Sequence, residues 1–261
     1  MPELTIETAT ASQAAKTGLL IVNADDWGRD RRTTDRILAC SRKGGISSVS
    51  AMVFMEDTER AAEIAKEQGL DAGLHLNLTS PFTAPRCPAQ VGERQQQLAR
   101  YLLKHPFARA LYHPGLAGHF EYVIGAQLDE FQRLYGMGPG RIDGHHHMHL
   151  CANVLLHGLL PPGTKVRRHF SYERGEKRVR NSLFRHSTRL ALGGRHLQTD
   201  YFFSLPPLVS DRLRYIFSLA EQYVVELETH PLDDREYQFL SEGEIFRWID
   251  RSSIGRGYLI A

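Results

Sequence analysis

Apolar residues first gather in LLIVNA, residues 19–24, a short run that ends at the adjacent carboxylates Asp25 and Asp26. A run of that length reads as a buried parallel strand. TTDRILACSRKGG follows, with Ile37, Leu38 and Ser41 at helical spacing, a threonine able to cap its start and Gly44-Gly45 to stop it. SSVSAMVF is a second strand, and DTERAAEIAKEQG a second helix with Thr58 as cap and Gly69 as terminator. DAGLHLNLT is a third strand, which delivers His75. Residues 80–117 break the rhythm and read as a loop and short-helix insertion over one face. HFEYVIGAQLDEFQRLYG then returns to helical spacing, and RIDGHHHMHL reads as a strand. The remainder gives a strand around TKVRR, an irregular basic stretch over 169–200, a helix near DRLRYIFSLAEQ, a strand YVVELETHP and a final helix EGEIFRWID.

Strands alternating with helices imply a mostly parallel sheet. A (β/α) barrel would bring the strand ends carrying Asp25, Asp26, His75 and the histidine run together on one face. An open doubly wound sheet is the alternative. At 261 residues the chain suits one domain, taken as 18–261, behind a loose leader of residues 1–17.

Composition narrows the class. Hydrophobic residues at 42% and charged residues at 24% are ordinary for a globular chain and exclude the disordered and fibrous classes. A net charge of +2 argues for no nucleic-acid partner, and the arginines of 167–195 lack interleaved aromatic stacking positions. Three cysteines without CxxC spacing indicate neither a disulfide framework nor a thiolate zinc site. With no signal-peptide pattern and no apolar window near ~20 residues, the cytoplasm is the expected compartment. The thirteen histidines are the one compositional excess.

Two carboxylates directly after a buried strand repel one another, and a cation between them relieves the repulsion. One can bind metal while its neighbour takes a proton from water; Asp-x-Gly as a plain turn is the competing reading. On strand DAGLHLNLT, His75 and Asn77 share a face opposite Leu74 and Leu76. Residues 143–150 read DGHHHMHL, and an internal run excludes a terminal tag. As a strand it aims His145, His147 and His149 at one face and His146 at the other; as a helix it pairs His145 with His149. Either form puts His145 and His149 within reach of one site. His230, closing ELETHP, is a candidate general acid.

LLIVNADDWG, GLHLNLT, DGHHHMHL and ELETHP, in this order, resemble the YdjC-like family of carbohydrate deacetylases, which includes chitooligosaccharide deacetylases and the hopanoid-associated HpnK proteins. The resemblance spans residue 18 to about 260. It implies a distorted TIM-like (β/α) barrel that binds one divalent cation, magnesium or zinc foremost, and removes acetyl groups from N-acetylated amino sugars. It also implies a homodimer. Carried onto this chain, the cation ligands are Asp26, His75 and His145, the general base is Asp25 and the acid is His230. The division of labour within the aspartate pair is the open point. Around them, His147 and His149 are supporting candidates, and Arg167 is placed to bind a sugar hydroxyl or the nascent anion. A backbone N–H near Thr79 is a further candidate oxyanion donor. Trp27 departs from the family's usual phenylalanine, GRDRRTTD is more charged than the family's usual small, polar continuation, and 169–200 is rich in arginine and histidine without a motif to place, which leaves the sugar open. A phosphoesterase and a non-catalytic metal or sugar binder are the rival functions.

Overall fold

The computed structural model describes residues 18–104, 107–171, 188, 190, 192–250 and 253–255. Seven strands form one parallel sheet: β1 (Leu19–Trp27), β2 (Ser48–Ala51), β3 (Asp71–Leu76), β4 (Arg141–Gly144), β5 (Lys165–Val166), β6 (Tyr201–Ser204) and β7 (Val224–Thr229). Their order is β5-β4-β3-β2-β1-β7-β6. The sheet curls into a distorted, incompletely closed (β/α) barrel. Its edge strands β5 and β6 do not pair directly; Ser171, beyond β5, donates its N–H to the Phe202 carbonyl of β6, and its hydroxyl accepts from the Phe202 N–H.

Strand alternation gives the sheet two buried faces of opposite character. Leu20, Val22, Ala24, Val49, Ala51, Leu74, Leu76, Ile142, Val225 and Leu227 face outward into one apolar core with the helices. That core supplies the hydrophobic driving force. The intervening positions Asn23, Asp25, Ser48, Ser50, His75, Asp143, Glu226 and Glu228 are equally buried and polar. A barrel interior is normally filled by branched apolar side chains, so the polar inner face is a departure that marks a candidate site.

The surrounding helices are α1 (Arg31–Arg42), α2 (Thr58–Gln68), α3 (Ala89–Lys104), α4 (Ala117–Tyr135), α5 (Ala152–Leu156), α6 (Ser210–Leu219) and α7 (Asp234–Ser241). Gly69 ends α2 in the left-handed conformation, as expected. Other details differ. Asp30, not a threonine, caps α1 by accepting from the Thr33 N–H. Thr58 is the first residue of α2, and its hydroxyl instead ties the preceding loop through the Met55 N–H and Met52 carbonyl. The insertion carries the full helix α3. The strand expected over 141–150 stops at Gly144, because His146 and His147 adopt left-handed φ values of 55° and 56° within a tight turn, His145–Leu150. The final helix lies earlier than expected, as α7, capped by Asp233. Gly243, at φ 75°, precedes only a short 3₁₀ turn, Glu244–Arg247.

Residues 1–17 and, within the basic stretch, 172–187, 189 and 191 lie outside the described residues. Among the described residues no helix is long and apolar enough to cross a membrane.

Candidate functional site

Adjacent residues on a regular strand point to opposite faces, yet Asp25 and Asp26 reach one site. The reason is a bulge. Pairing passes from Ala24↔Val49 to Trp27↔Ala51, three steps on β1 against two on β2, and Asp26 takes φ 68°. A left-handed aspartate costs on the order of 1 kcal/mol or more and persists where surroundings enforce it. Trp27, fully buried, anchors the bulge by donating its indole N–H to the Ala61 carbonyl of α2 at 3.1 Å.

Asp26, His75 and His145 offer ligand atoms within 4.8 Å of one another, and all three are buried. Asp26 Oδ1 lies 3.1 Å from His145 Nδ1 and 3.4 Å from His75 Nε2. Neither approach is aligned as a hydrogen bond, so Asp26 Oδ1 and His75 Nε2 are buried without a partner. His75 Nδ1 donates to Asp143 Oδ1 at 2.7 Å, which fixes the tautomer and turns the Nε2 lone pair toward Asp26. A carboxylate behind the imidazole is the usual support of a metal-binding histidine. Burial opposes a charged His75, but the charge of Asp25, the bond to Asp143 and the Asp26 carboxylate facing it push its imidazole up to about 10 in the absence of a cation. Burial likewise raises the Asp26 carboxyl, yet the His145 and His75 rings against it hold it well below the carboxylate range. The buried carboxylates Asp25, Asp26, Asp143 and Glu226, with the carboxyl of Glu228 beside them, meet two buried guanidiniums, Arg141 and Arg167, and the partly exposed Arg29 on Asp26 Oδ2 at 2.9 Å. Orphaned donor atoms and surplus negative charge together fit a cation.

Asp25 is held differently. Arg167 donates to Asp25 Oδ2 at 2.7 Å and Oδ1 at 2.8 Å, and Asn23 donates to Oδ1 at 2.7 Å. Burial pushes this carboxyl up, but the Arg167 charge and hydrogen bonds bring it down to about 2. Arg167 also reaches Glu226 at 2.6 Å and Asp143 at 3.0 Å, and it is fully buried. It therefore supports Asp25 from behind, with its guanidinium committed to three carboxylates, whereas the resemblance implied a contact with a sugar hydroxyl or the nascent anion. His230 Nε2, partly exposed at the mouth, stands 3.9 Å from Asp25 Oδ2 and 3.5 Å from Glu228 Oε1.

The histidine run divides by contact. Its tight turn folds back over Gly144, where an added Cβ would come within 2.9 Å of His149 Nδ1 and 3.0 Å of the His149 backbone nitrogen. His149 is buried, and its Nε2 donates to the Arg167 carbonyl at 2.9 Å. His147 packs edge-on against Phe170 and Phe202, with Nε2 3.8 Å from Glu228 Oε2. His146, expected to face away, instead tilts against the His145 ring and bonds the Thr79 hydroxyl at 3.0 Å. The Thr79 N–H is already committed to Asn77 Oδ1 at 3.2 Å, which removes it as an oxyanion donor.

Sequence reasoning passed over Arg141, Asp143, Glu226 and Glu228. A signal was present: charged residues two apart in short strands, Arg141 with Asp143 and Glu226 with Glu228, share one face. Asp143 accepts from Ser50 at 2.5 Å and Arg141 at 2.9 Å.

A family model described as YdjC-like protein matches residues 19–248. A chitooligosaccharide deacetylase from Proteus mirabilis is 35% identical over 137 residues, 52% of this chain and 52% of that protein. A carbohydrate deacetylase from Danio rerio is 31% identical over 137 residues, 52% of this chain and 43% of that protein. The chain spans about half the length of the curated relatives it matches. A crystal structure from Enterococcus faecalis V583, named for cellobiose-phosphate cleavage, has a TM-score of 0.62 at 18% identity, covering 91% of this chain and 96% of that one. That likeness is one of fold.

Proposed function

Because the chain belongs to the YdjC-like protein family, we propose that it is a metal-dependent deacetylase hydrolysing the acetamide of an N-acetylated amino sugar. Two buried atoms without partners, Asp26 Oδ1 and His75 Nε2 beside His145, carry the proposal. Asp26, His75 and His145 would hold one divalent cation. One carboxylate and two imidazoles suit zinc, and with water ligands also magnesium, manganese or iron. Bound there, the cation would supply Lewis acidity to the acetyl carbonyl and the attacking water.

The chain's own groups do the rest. Asp25, kept ionised by Arg167, accepts the proton of the attacking water. His230 Nε2, 3.9 Å from Asp25 Oδ2 at the open side, delivers a proton to the leaving nitrogen, which an acetamide requires because an amide anion is a poor leaving group. Asn23 fixes the Asp25 carboxylate and Asp143 fixes the His75 ring, so neither needs to reorganise during reaction. Relatives named as chitooligosaccharide and carbohydrate deacetylases support the choice of substrate.

Purified protein supplied in turn with magnesium, zinc and manganese is expected to release acetate from N-acetylglucosamine oligomers, and Asp26→Asn is expected to lose both bound metal and acetate release. Hydrolysis of phosphate esters, with no acetate from any N-acetyl sugar under any of these metals, would overturn the assignment.

A further inference from the structure

A cation at Asp26, His75 and His145 accounts for two of the buried atoms without partners, and it leaves Glu228 Oε2, nearer the mouth, still without one. Side chains alternate along β7, so Glu226, Glu228 and His230 rise in turn on the inner face. Glu226 Oε1 is taken by Arg167 at 2.6 Å. Glu228, the next toward the mouth, places Oε1 3.5 Å from His230 Nε2 and Oε2 3.8 Å from His147 Nε2. Asp25, Glu228 and His230 offer atoms within 4.8 Å of one another. His147 is wedged edge-on against Phe170 and Phe202, which fixes the wall on that side. A buried carboxylate oxygen without a donor is costly unless a donor arrives with the substrate.

An acetamide brings such a donor, the N–H between sugar and acetyl group. An acetyl ester has oxygen at that place and no hydrogen to offer. With His230 Nε2 as the acid, the leaving nitrogen lies beside that atom, and Glu228 borders the same space. We propose that Glu228 is a specificity-determining residue that accepts the N–H of the scissile acetamide and so selects amide-linked over ester-linked acetyl groups. This rests on the proposed deacetylase chemistry at the same site, with His230 as acid. Burial and the nearby charge of Asp25 push the Glu228 carboxyl well above its ordinary range, and a carboxyl oxygen can accept an N–H in either protonation state. A second cation is the less favoured occupant, since Arg167 already holds both oxygens of the neighbouring Asp25.

The test compares metal-loaded wild type, Glu228→Met and Glu228→Gln on an N-acetylglucosamine dimer and a matched O-acetyl analogue. A site built to bond a substrate N–H discriminates strongly once that bond is in place. Glu228→Met should lower kcat/KM for the amide by about 10- to 100-fold and for the ester by less than about 3-fold. Glu228→Gln, which keeps a carbonyl acceptor, should retain most of the preference. Binding gives a second reading in Asp25→Asn protein: the N-acetyl dimer should bind about tenfold more tightly than its N-methyl-N-acetyl counterpart, and Glu228→Met should erase the difference. Equal loss for amide and ester, or equal binding of the N–H and N-methyl probes, overturns the proposal. So does a metal content of two equivalents that falls to one in Glu228→Met. Acetate release by Asp25→Asn at the wild-type rate would defeat the general-base assignment, while the amide-to-ester ratio would still test Glu228.

Discussion

Asp25 and Asp26 are neighbours in sequence with different tasks, and the difference is set by what each touches. Asp25 is clamped on both oxygens by Arg167, whereas Asp26 keeps a buried oxygen unpartnered toward two imidazoles. Arg167 has no solvent contact and compensates Asp25, Asp143 and Glu226 together. Removing one member of a buried ionic set leaves its partners uncompensated, so Arg167→Met should cost about 3–5 kcal/mol of stability by urea denaturation. A rim arginine meeting only substrate would leave stability near wild type when replaced. From sequence, Asp25, Asp26, His75 and His145 stood out because polar residues closing apolar runs announce themselves. Arg167 was expected to meet a sugar hydroxyl or the nascent anion on the family resemblance alone, since a two-residue strand, Lys165–Val166, gives no alternation from which to read its direction.

At the scale of elements, two backbone departures build the site: the bulge at Asp26 and the left-handed turn after Gly144. The turn needs glycine at 144, since a Cβ there meets His149 at 2.9–3.0 Å. Gly144→Ala is expected to destabilise the fold by about 1–3 kcal/mol and to weaken metal binding through the adjacent His145, readable by calorimetric titration. His149 gives a pH prediction. Burial, partly offset by its bond to the Arg167 carbonyl, lowers its imidazole to about 4, below the ordinary value near 6.5. The unfolded chain therefore takes up the proton first as pH falls, and stability present above about pH 6.5 drains away toward pH 4. The loss from this group between pH 7 and pH 5 should be about 2 kcal/mol, and His149→Gln should remove that portion of the slope. Elements that went unread have physical reasons. α7 follows directly on His230-Pro231 and owes its start to Asp233, while β6 is a four-residue aromatic strand, YFFS, too short to show a period. Three consecutive histidines carry no rule for left-handed φ, so the strand at 141 was extended too far.

At the scale of the whole molecule, βα alternation was legible because the outward face of each strand is continuously apolar, and the parallel barrel followed. How the edges meet was not legible, since β5 and β6 are joined by single bonds around Ser171 and Phe202 rather than by a ladder. An inner face with more carboxylates than guanidiniums should make the fold metal-responsive. Saturating zinc or magnesium at about 100 times its Kd should add about 2.7 kcal/mol, seen as a rise in Tm that a chelator reverses and Asp26→Asn abolishes. The measurement that bears most directly on the proposed chemistry pairs metal content with turnover in Asp25→Asn. One equivalent of cation and a folded chain should be retained while acetate release from N-acetylglucosamine oligomers falls by about 10²–10⁴-fold; undiminished release, or loss of the metal together with activity, would contradict the assignment of Asp25 as the base beside an Asp26-held cation.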